Sequence, residues 1–162
     1  MGASYSAPTL KSQLKMAVQR LSMHRNKKSN QISIDSKGIA ILLQQGKDES
    51  ARIRCEAVLH EKNLASALEM LQLMCELMSA RVALITAAKT CPSDLEEAAA
   101  SLIYCASRVE IPELKVIAQQ LGAKFGKAWA ETHTDNLAGK VHPRIQEKLS
   151  IQAPPFSVGG TA

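Results

Sequence analysis

The chain has 162 residues, of which 46% are hydrophobic and 22% charged, with a formal net charge of +5. This length and composition are those of one globular domain that buries a core without disulfides or metal. Aromatic residues make up only 3% of the chain, too few for a surface that stacks single-stranded nucleic acid, so no nucleic-acid partner is expected. The composition favours helix over strand, and no run of about 18 apolar residues is present to span a membrane.

Basic residues are concentrated near the start of the chain. Residues 1–60 carry ten Lys or Arg against four Asp or Glu, and Asp35 is the first acidic residue. By charge alone, an unneutralised basic segment favours an anionic partner, namely acidic lipid, nucleic acid or an acidic protein surface, of which nucleic acid is disfavoured by the scarcity of aromatic residues. The alternative is a solvated helix face, because at about 100° per residue these cations cannot all face one plane. The candidate residues for an anionic surface are Lys11, Lys15, Arg20, Arg25, Lys27 and Lys28.

The first half of the chain predicts a long helical hairpin. Residues 1–9 are small and polar and predict a flexible arm. Apolar residues at helical spacing predict a first helix from Leu10 to Gln44, whose polar middle from His24 to Gln31 favours a bend or a break. Gly46 ends this helix, and a second helix from Glu49 to Ala88 contains neither Gly nor Pro. Because the turn between them is short, the two helices are expected to be antiparallel and to form a rod.

Shorter helices follow the break at Cys91-Pro92. The S-x-x-E spacing from Ser93 to Glu96 is that of a capping box and predicts a third helix that ends near Ser107. Pro112 suits the first turn of a fourth helix, which is expected to end near Thr132. Small residues spaced by four within this helix predict a close approach of a neighbouring backbone, at positions Ala118, Gly122 and Gly126.

The last part of the chain predicts one further helix and a tail. The fifth helix is expected from about Pro143 to Leu149. The residues after it are rich in Pro and Gly and predict a disordered or extended tail over 153–162. The folded core is therefore expected to span residues 10–152.

The sequence carries no recognisable catalytic motif. Phosphate-binding loops, dinucleotide fingerprints, nucleophile elbows and zinc-protease motifs are all missing, so no catalytic, cofactor or metal site is expected. The four cysteines have no CxxC spacing and predict free, mostly buried thiols in a reducing compartment. A nucleophilic pair of Cys55 and His60 is the weaker interpretation, because five residues do not place them on one helical face. A helical rod with a basic segment is expected to bind or scaffold other molecules.

The segment Gly46–Glu56, GKDESARIRCE, closely resembles the signature of the increased-sodium-tolerance (Ist-one) family of ESCRT-III-like proteins. Three more blocks resemble the family in the same order along the chain. They are LMCEL with Ala80-Arg81, the segment over 113–127, and KLSIQAPP over 148–155. The resemblance covers roughly residues 10–155, and several blocks in register are far more specific than one short motif.

The resemblance implies an all-α, ESCRT-III-like core, in which three or four shorter helices pack on a long antiparallel hairpin. It implies a non-enzymatic assembly or adaptor protein of multivesicular-body sorting and membrane remodelling, cytoplasmic and recruited to endosomal membranes. The expected partner is a class-one charged multivesicular body subunit, which can co-assemble with the family into helical filaments. The Vps-four AAA ATPase is expected as a partner only if a C-terminal tail exists beyond this chain.

The resemblance also implies site residues at the hairpin tip. Lys47, Arg52, Arg54 and Glu56 match the signature positions and are expected to contact a partner or a neighbouring subunit of a polymer. The equally weighted alternative is that Arg52 and Arg54 pair with acidic side chains within the hairpin. The family's groove takes an amphipathic helix, a helix-in-groove mode of binding. The alternative function for the whole chain is that of a basic helical protein that binds acidic membrane surfaces directly.

Overall fold

The computed structural model describes residues 4–150, which form seven α-helices and no β-strand. The long helices α1 and α2 form an antiparallel hairpin, and the shorter helices pack against one end of it. None of the helices in the described part of the chain is long and apolar enough to cross a membrane. The all-α hairpin architecture is thus confirmed. The helices are α1 (Ala7–Gln44), α2 (Asp48–Ala80), α3 (Val82–Ala87), α4 (Glu96–Ala106), α5 (Pro112–Phe125), α6 (Lys127–Thr134) and α7 (Pro143–Ser150).

Helix α1 is continuous over 38 residues, so its polar middle does not break it. It begins at Ala7, because Pro8 lies in the first turn and the Ser6 hydroxyl accepts a hydrogen bond from the Thr9 amide. The residue before this cap is also held, since Tyr5 packs on the core. The predicted flexible arm over 1–9 is therefore corrected: residues 7–9 are helical and residues 5 and 6 are tied to the fold.

The second predicted helix, Glu49–Ala88, is two helices. Arg81 has φ −115° and ψ 17° and separates α2 from α3. Its guanidinium lies 3.1 Å from an Asp94 carboxylate oxygen in the loop before α4. Helix α3 is held at its other end, where the Thr86 hydroxyl lies 2.7 Å from the Tyr5 hydroxyl. Because no Gly or Pro marks this break, it depends on tertiary contacts rather than on local sequence.

The fourth predicted helix, Pro112 to Thr132, is also divided. Gly126 has φ +107° and ψ 142°, a backbone conformation that only glycine adopts readily, and it separates α5 from α6. The predicted close approach holds at Gly122, where an added Cβ would lie 3.3 Å from the Ala130 Cβ. At Gly126 an added Cβ would meet nothing within 4 Å, so this glycine serves the turn and not close packing.

The capping box predicted before α4 is absent. The residue before the helix is Leu95, no side chain caps the first turn, and Ser93 lies in the preceding turn. Glu96 instead reaches Lys140, with 3.5 Å between the carboxylate oxygen and the ammonium nitrogen. The fifth predicted helix corresponds to α7, and the predicted tail over 153–162 lies outside the described residues.

The buried apolar residues form two clusters of very different size. The main cluster joins the first half of α1 and the second half of α2 to α3, α4, α5 and α7. The second cluster lies near the hairpin tip and consists of Ile39, Ala51 and Val58, with Ile32 and Leu42 packed against it. The molecule therefore has one thick end with a full core and one thin end that is a bare two-helix hairpin.

Candidate partner-binding surfaces

Three of the six cations predicted to face an anionic surface are paired within the fold. Arg20 Nε lies 2.7 Å from a Glu113 carboxylate oxygen of α5. Arg25 lies 3.7 Å from the Glu69 carboxylate. Lys28 Nζ lies 2.6 Å from the Glu61 carboxylate, so both of these pairs join α1 to α2. For these three residues the basic charge is used to hold helices together.

The Arg20–Glu113 pair is the most buried of these contacts. The Glu113 side chain is only 6% exposed, whereas that of Arg20 is 41% exposed. The hydrogen bond from Arg20 holds the pKa of the Glu113 carboxyl below its ordinary value, although burial acts in the opposite direction. The same pair raises the pKa of Arg20. A carboxylate buried in this way has to stay paired, because an isolated buried charge is costly.

The other three cations, Lys11, Lys15 and Lys27, form no ion pair with any residue in the range 4–150. Lys11 and Lys15 lie one turn apart and line the same groove. Lys27 projects from α1 about 120° to 160° away from them around the helix axis. The six cations therefore do not form one flat basic surface.

A groove of about 560 Å³ lies between the start of α1 and the end of α2. Its floor is apolar, with Met16, Val18 and Ala80, and charges of both signs stand at its edges. Two elongated helices side by side form a channel that suits an amphipathic helix. The sequence analysis identified only Lys11 and Lys15 here as binding residues, and the groove could not be predicted because its other wall, Glu76, Ser79 and Ala80, comes from a segment about 60 residues later. We call this the α1–α2 groove, lined by Lys11, Lys15, Met16, Val18, Gln19, Glu76, Ser79 and Ala80.

A second groove of about 520 Å³ lies between α4, α5 and α6. Small residues such as Ala118, Gly122 and Ala130 form part of its wall, which lets another backbone come close. Lys127 and Glu131 bring one charge of each sign to this groove. We call it the α4–α6 groove.

Two of the four signature residues at the hairpin tip, Arg52 and Glu56, are paired with each other. Arg52 forms ion pairs with Glu49 one turn before it and, at 3.1 Å, with Glu56 one turn after it. The hydrogen bond from Arg52 lowers the pKa of Glu49, and Glu49 in turn raises the pKa of Arg52. The geometry of Arg52 thus agrees with the alternative in which it pairs with acidic side chains within the hairpin. All of these side chains are exposed, so each pair contributes little to stability.

Lys47 and Arg54 differ from Arg52. Both are exposed, and neither forms an ion pair with another residue of the described part of the chain. The Lys47 backbone amide donates to the Leu42 carbonyl at 2.9 Å, which closes the turn and leaves its side chain outside. These two cations can meet a carboxylate on another molecule without first breaking an internal pair.

Burial makes three of the four cysteines poor nucleophiles. Burial raises the pKa of Cys75 and of Cys105 to about 12 and that of Cys91 to about 11, so these three thiols stay protonated at neutral pH. All four cysteines are free, as predicted, and Cys55 is exposed. Within residues 4–150, no group of three or more His, Cys, Asp or Glu side chains is placed to hold a metal ion.

Comparison with known proteins decides the family. The family model described as "Ist1: Regulator of Vps4 activity in the MVB pathway" matches residues 11–158. The chain belongs to the Ist1 family. The resemblance found in the segment Gly46–Glu56 and in the later blocks is thereby confirmed.

Two curated relatives carry the Ist1 name. An IST1-like protein of Dictyostelium discoideum is 37% identical over 157 residues, which are 97% of this chain and 42% of that protein. Vacuolar protein sorting-associated protein IST1 of Saccharomyces cerevisiae is 30% identical over 158 residues, which are 90% of this chain and 51% of that protein. The chain thus spans about half the length of the curated relatives it matches.

A solved structure of the same family has the same fold. The crystal structure of the S. cerevisiae Ist1 N-terminal domain in complex with the Did2 MIM motif matches with a TM-score of 0.85 and 28% identity. The match covers 91% of this chain and 83% of that one. This neighbour confirms the ESCRT-III-like helical fold that the resemblance implied.

Proposed function

We propose that this chain is a non-enzymatic adaptor that binds an ESCRT-III subunit of the class-one charged multivesicular body type during multivesicular-body sorting. The observation that carries the proposal is the fold match across 91% of the chain to an Ist1 domain that was crystallised with the Did2 MIM motif. The family description, regulation of Vps4 activity in the MVB pathway, supports a role for such binding in that pathway.

The α1–α2 groove is the site that we assign to the partner. It is bounded by two long helices, so a third helix can lie along it and bury its apolar side on Met16, Val18 and Ala80. Lys11 and Lys15 line this groove and form no ion pair with any carboxylate of the described chain. We therefore expect a partner helix with apolar residues at three- and four-residue spacing and with carboxylates along the edge that meets these two lysines.

Assembly into a polymer is the second part of the proposal. Lys47 and Arg54 are exposed at the hairpin tip, beside an Arg52 whose charge is shared between Glu49 and Glu56. Their ammonium and guanidinium groups are thus the tip charges most available to a neighbouring subunit. We expect polymers formed with the partner to weaken with salt, since exposed charges are screened.

Regulation of a Vps4-type ATPase follows from the same binding. A chain that holds an ESCRT-III subunit controls how much of that subunit the ATPase can reach, at the cytoplasmic face of endosomal membranes where the pathway operates. The curated relatives are about twice as long as this chain. We propose direct contact with the ATPase only for a protein in which further sequence follows residue 162.

Direct adsorption to an acidic membrane is the second candidate function, and the unpaired Lys11, Lys15 and Lys27 are the observation that favours it. Lys11 and Lys15 face one direction and Lys27 another, so a flat surface meets only two of the three. At roughly 1 kcal/mol for each cation, two contacts hold a protein only weakly. The geometry therefore supports partner binding more than membrane adsorption.

Binding is tested by calorimetric titration of the full chain with a class-one charged multivesicular body subunit. Ala80→Arg fills the α1–α2 groove and Lys15→Glu reverses the charge at its edge, and each is expected to weaken binding by about tenfold or more. Lys62→Glu is the matched control, because Lys62 is an exposed lysine of α2 outside the groove. Circular dichroism confirms that each variant keeps its helices.

The outcomes distinguish a wrong assignment of the binding site from a wrong proposal about the function. Loss of binding in Ala80→Arg and Lys15→Glu with retention in Lys62→Glu supports the groove. Loss only in Ala123→Arg, which fills the α4–α6 groove, moves the partner to that site. Unchanged binding in all four variants contradicts both groove assignments. No binding by the unaltered chain to any class-one subunit contradicts the proposed function.

A further inference from the structure

Four exposed apolar side chains lie in one line along α1. Met16, Met23, Ile34 and Ile41 are 47%, 57%, 61% and 53% exposed. They are separated by 7, 11 and 7 positions, which are close to whole numbers of helical turns, so all four project within about 20° of one line. We call these four residues the α1 stripe.

The α1 stripe points away from the folded core. The fully buried Leu10, Leu14 and Leu21 project about 120° to 160° away from it around the helix axis. Single exposed apolar residues are ordinary on a protein surface, but four on one line, interrupted in the middle by Lys27 and Asn30, are a candidate interaction surface. The stripe extends over about 38 Å, the rise of 25 residues at 1.5 Å each.

The order of spacings along the stripe is the same from either end. A two-fold axis through the midpoint, between Lys28 and Ser29, exchanges the two outer positions and the two inner positions. We propose that the α1 stripe is the contact between two copies of this chain, with their α1 helices packed antiparallel. Met16 and Met23 then lie opposite Ile41 and Ile34 of the second copy. A symmetric dimer needs such a self-complementary surface.

The charges near the stripe favour the antiparallel arrangement. In it, Lys27 lies opposite Asn30 of the second copy, and Lys37 lies opposite Arg20, whose charge Glu113 already balances. A parallel arrangement would place Lys27 against Lys27 and Lys37 against Lys37, and like charges in contact are destabilising.

The shape of the molecule favours the same arrangement. Helix α5 packs beside the first half of α1, whereas the apolar cluster of the half near the tip is formed, within residues 4–150, by α1 and α2 alone. Antiparallel pairing brings the thin end of each copy beside the thick end of the other, so the bulky helices do not collide. An acidic membrane is a poorer occupant, because only Lys27 of the three unpaired candidate lysines lies beside the stripe, whereas Lys11 and Lys15 project about 90° to 130° away from it.

The dimer is tested by sedimentation velocity of the full chain at micromolar to millimolar concentrations, because an interface of about 1,000 Å² or less is weak. Ile34→Ser is expected to raise the dissociation constant by at least about tenfold, since each dimer loses two apolar contacts. Leu43→Ser is the matched control, because Leu43 is 54% exposed on α1 but lies on the opposite side from the stripe. A chain that stays monomeric throughout, or equal weakening by both substitutions, overturns the proposal.

Disulfide trapping tests the direction of the two helices. Met23→Cys and Ile34→Cys are made separately in a Cys55→Ser background, which removes the exposed native thiol. Under mild oxidation the mixture is expected to form the crosslink between the two different variants. Rapid crosslinking of Met23→Cys with itself indicates parallel helices and overturns the proposal. The proposal is also overturned if the chain stays monomeric and co-sediments with phosphatidylserine vesicles, and if Ile34→Ser but not the control substitution abolishes that co-sedimentation. The proposed dimer does not depend on the proposed function. Met16 is left unchanged in these tests because it also lines the α1–α2 groove.

Discussion

At the scale of single residues, the pair of Arg20 and Glu113 joins the hairpin to α5. Glu113 is buried in the first turn of α5, and the guanidinium that neutralises it comes from the middle of α1. Removal of one partner of such a pair costs more than the pair contributes, because the other charge stays buried. The sequence predicted Arg20 for an anionic surface and could not place Glu113 beside it, since 93 residues separate them.

Stability against acid is expected to depend on this pair. Arg20 lowers the pKa of Glu113 below its value in the unfolded chain, near 4.5, so the unfolded state binds more protons as the pH falls through that range. The stability that the pair contributes is therefore present above about pH 4.5 and is lost as the pH falls through the lowered pKa of the folded state. Arg20→Met removes the largest cause that lowers the pKa of Glu113 and leaves burial opposed only by a backbone hydrogen bond and by His24. The free energy of unfolding is therefore expected to be lower at pH 6 and to fall less steeply towards pH 3.

The measurement is urea unfolding of the native chain and Arg20→Met between pH 3 and pH 6. Arg25→Met is the matched control, because Arg25 lies 3.7 Å from a Glu69 that is 59% exposed and not buried. His133 is buried with both ring nitrogens unpartnered, and burial lowers its pKa, but it is common to all three proteins. Equal pH dependence in Arg20→Met and the native chain would refute the role given to Glu113.

At the scale of helices, local sequence signals predicted which segments are helical better than they predicted where each helix begins and ends. Apolar spacing and the turn at Gly46 gave the hairpin, and Pro112 gave the start of α5. The break at Arg81 was missed because its cause is tertiary, a contact with Asp94 and the docking of α3 on Tyr5. The break at Gly126 did have a local signal, a glycine at the end of an apolar pattern, which the four-residue spacing of small residues led us to interpret as a packing position.

Replacing Gly126 or Gly38 with alanine is expected to change the stability of the fold in opposite directions. At Gly126 the surrounding space is open, but φ is +107°, so Gly126→Ala is expected to destabilise the fold by about 1–3 kcal/mol through backbone strain alone. Gly38 is helical with open space around it, so Gly38→Ala is expected to stabilise the fold by about 1 kcal/mol. Urea unfolding of both variants measures the difference. A neutral Gly126→Ala would show that α5 and α6 can join as one helix at little cost.

At the scale of the whole molecule, the chain is thick at one end and thin at the other. The signature in the sequence directed attention to the thin end, where Lys47 and Arg54 are exposed at the tip. The grooves lie at the thick end. The α1–α2 groove is built from segments about 60 residues apart, so no local pattern could have predicted its whole lining, whereas the four-residue spacing of small residues did single out Ala118 and Gly122 of the α4–α6 groove. The family resemblance implied a groove for a helix, and the fold shows which residues line the two candidate grooves.

The uneven core predicts uneven stability along the hairpin. The cluster near the tip has only three buried members, whereas the main cluster joins six helices. The Lys28–Glu61 ion pair, with 2.6 Å between charged atoms, lies between the two regions. Few buried contacts allow local opening at low free energy, so amides over residues 32–58 are expected to exchange with solvent faster than those of α5.

Hydrogen exchange followed by mass spectrometry tests this expectation with two substitutions in the hairpin. Ile39→Ala removes a member of the tip cluster and is expected to speed exchange over residues 32–58 while leaving α5 unchanged. Leu71→Ala, at a fully buried position of the main cluster, is expected to cost about 2–5 kcal/mol and to speed exchange throughout. If Ile39→Ala also speeds exchange in α5, the hairpin opens as one cooperative unit with the main core. A tip that opens alone instead lets Lys47 and Arg54 adjust to a neighbouring molecule while the grooves at the thick end keep their shape.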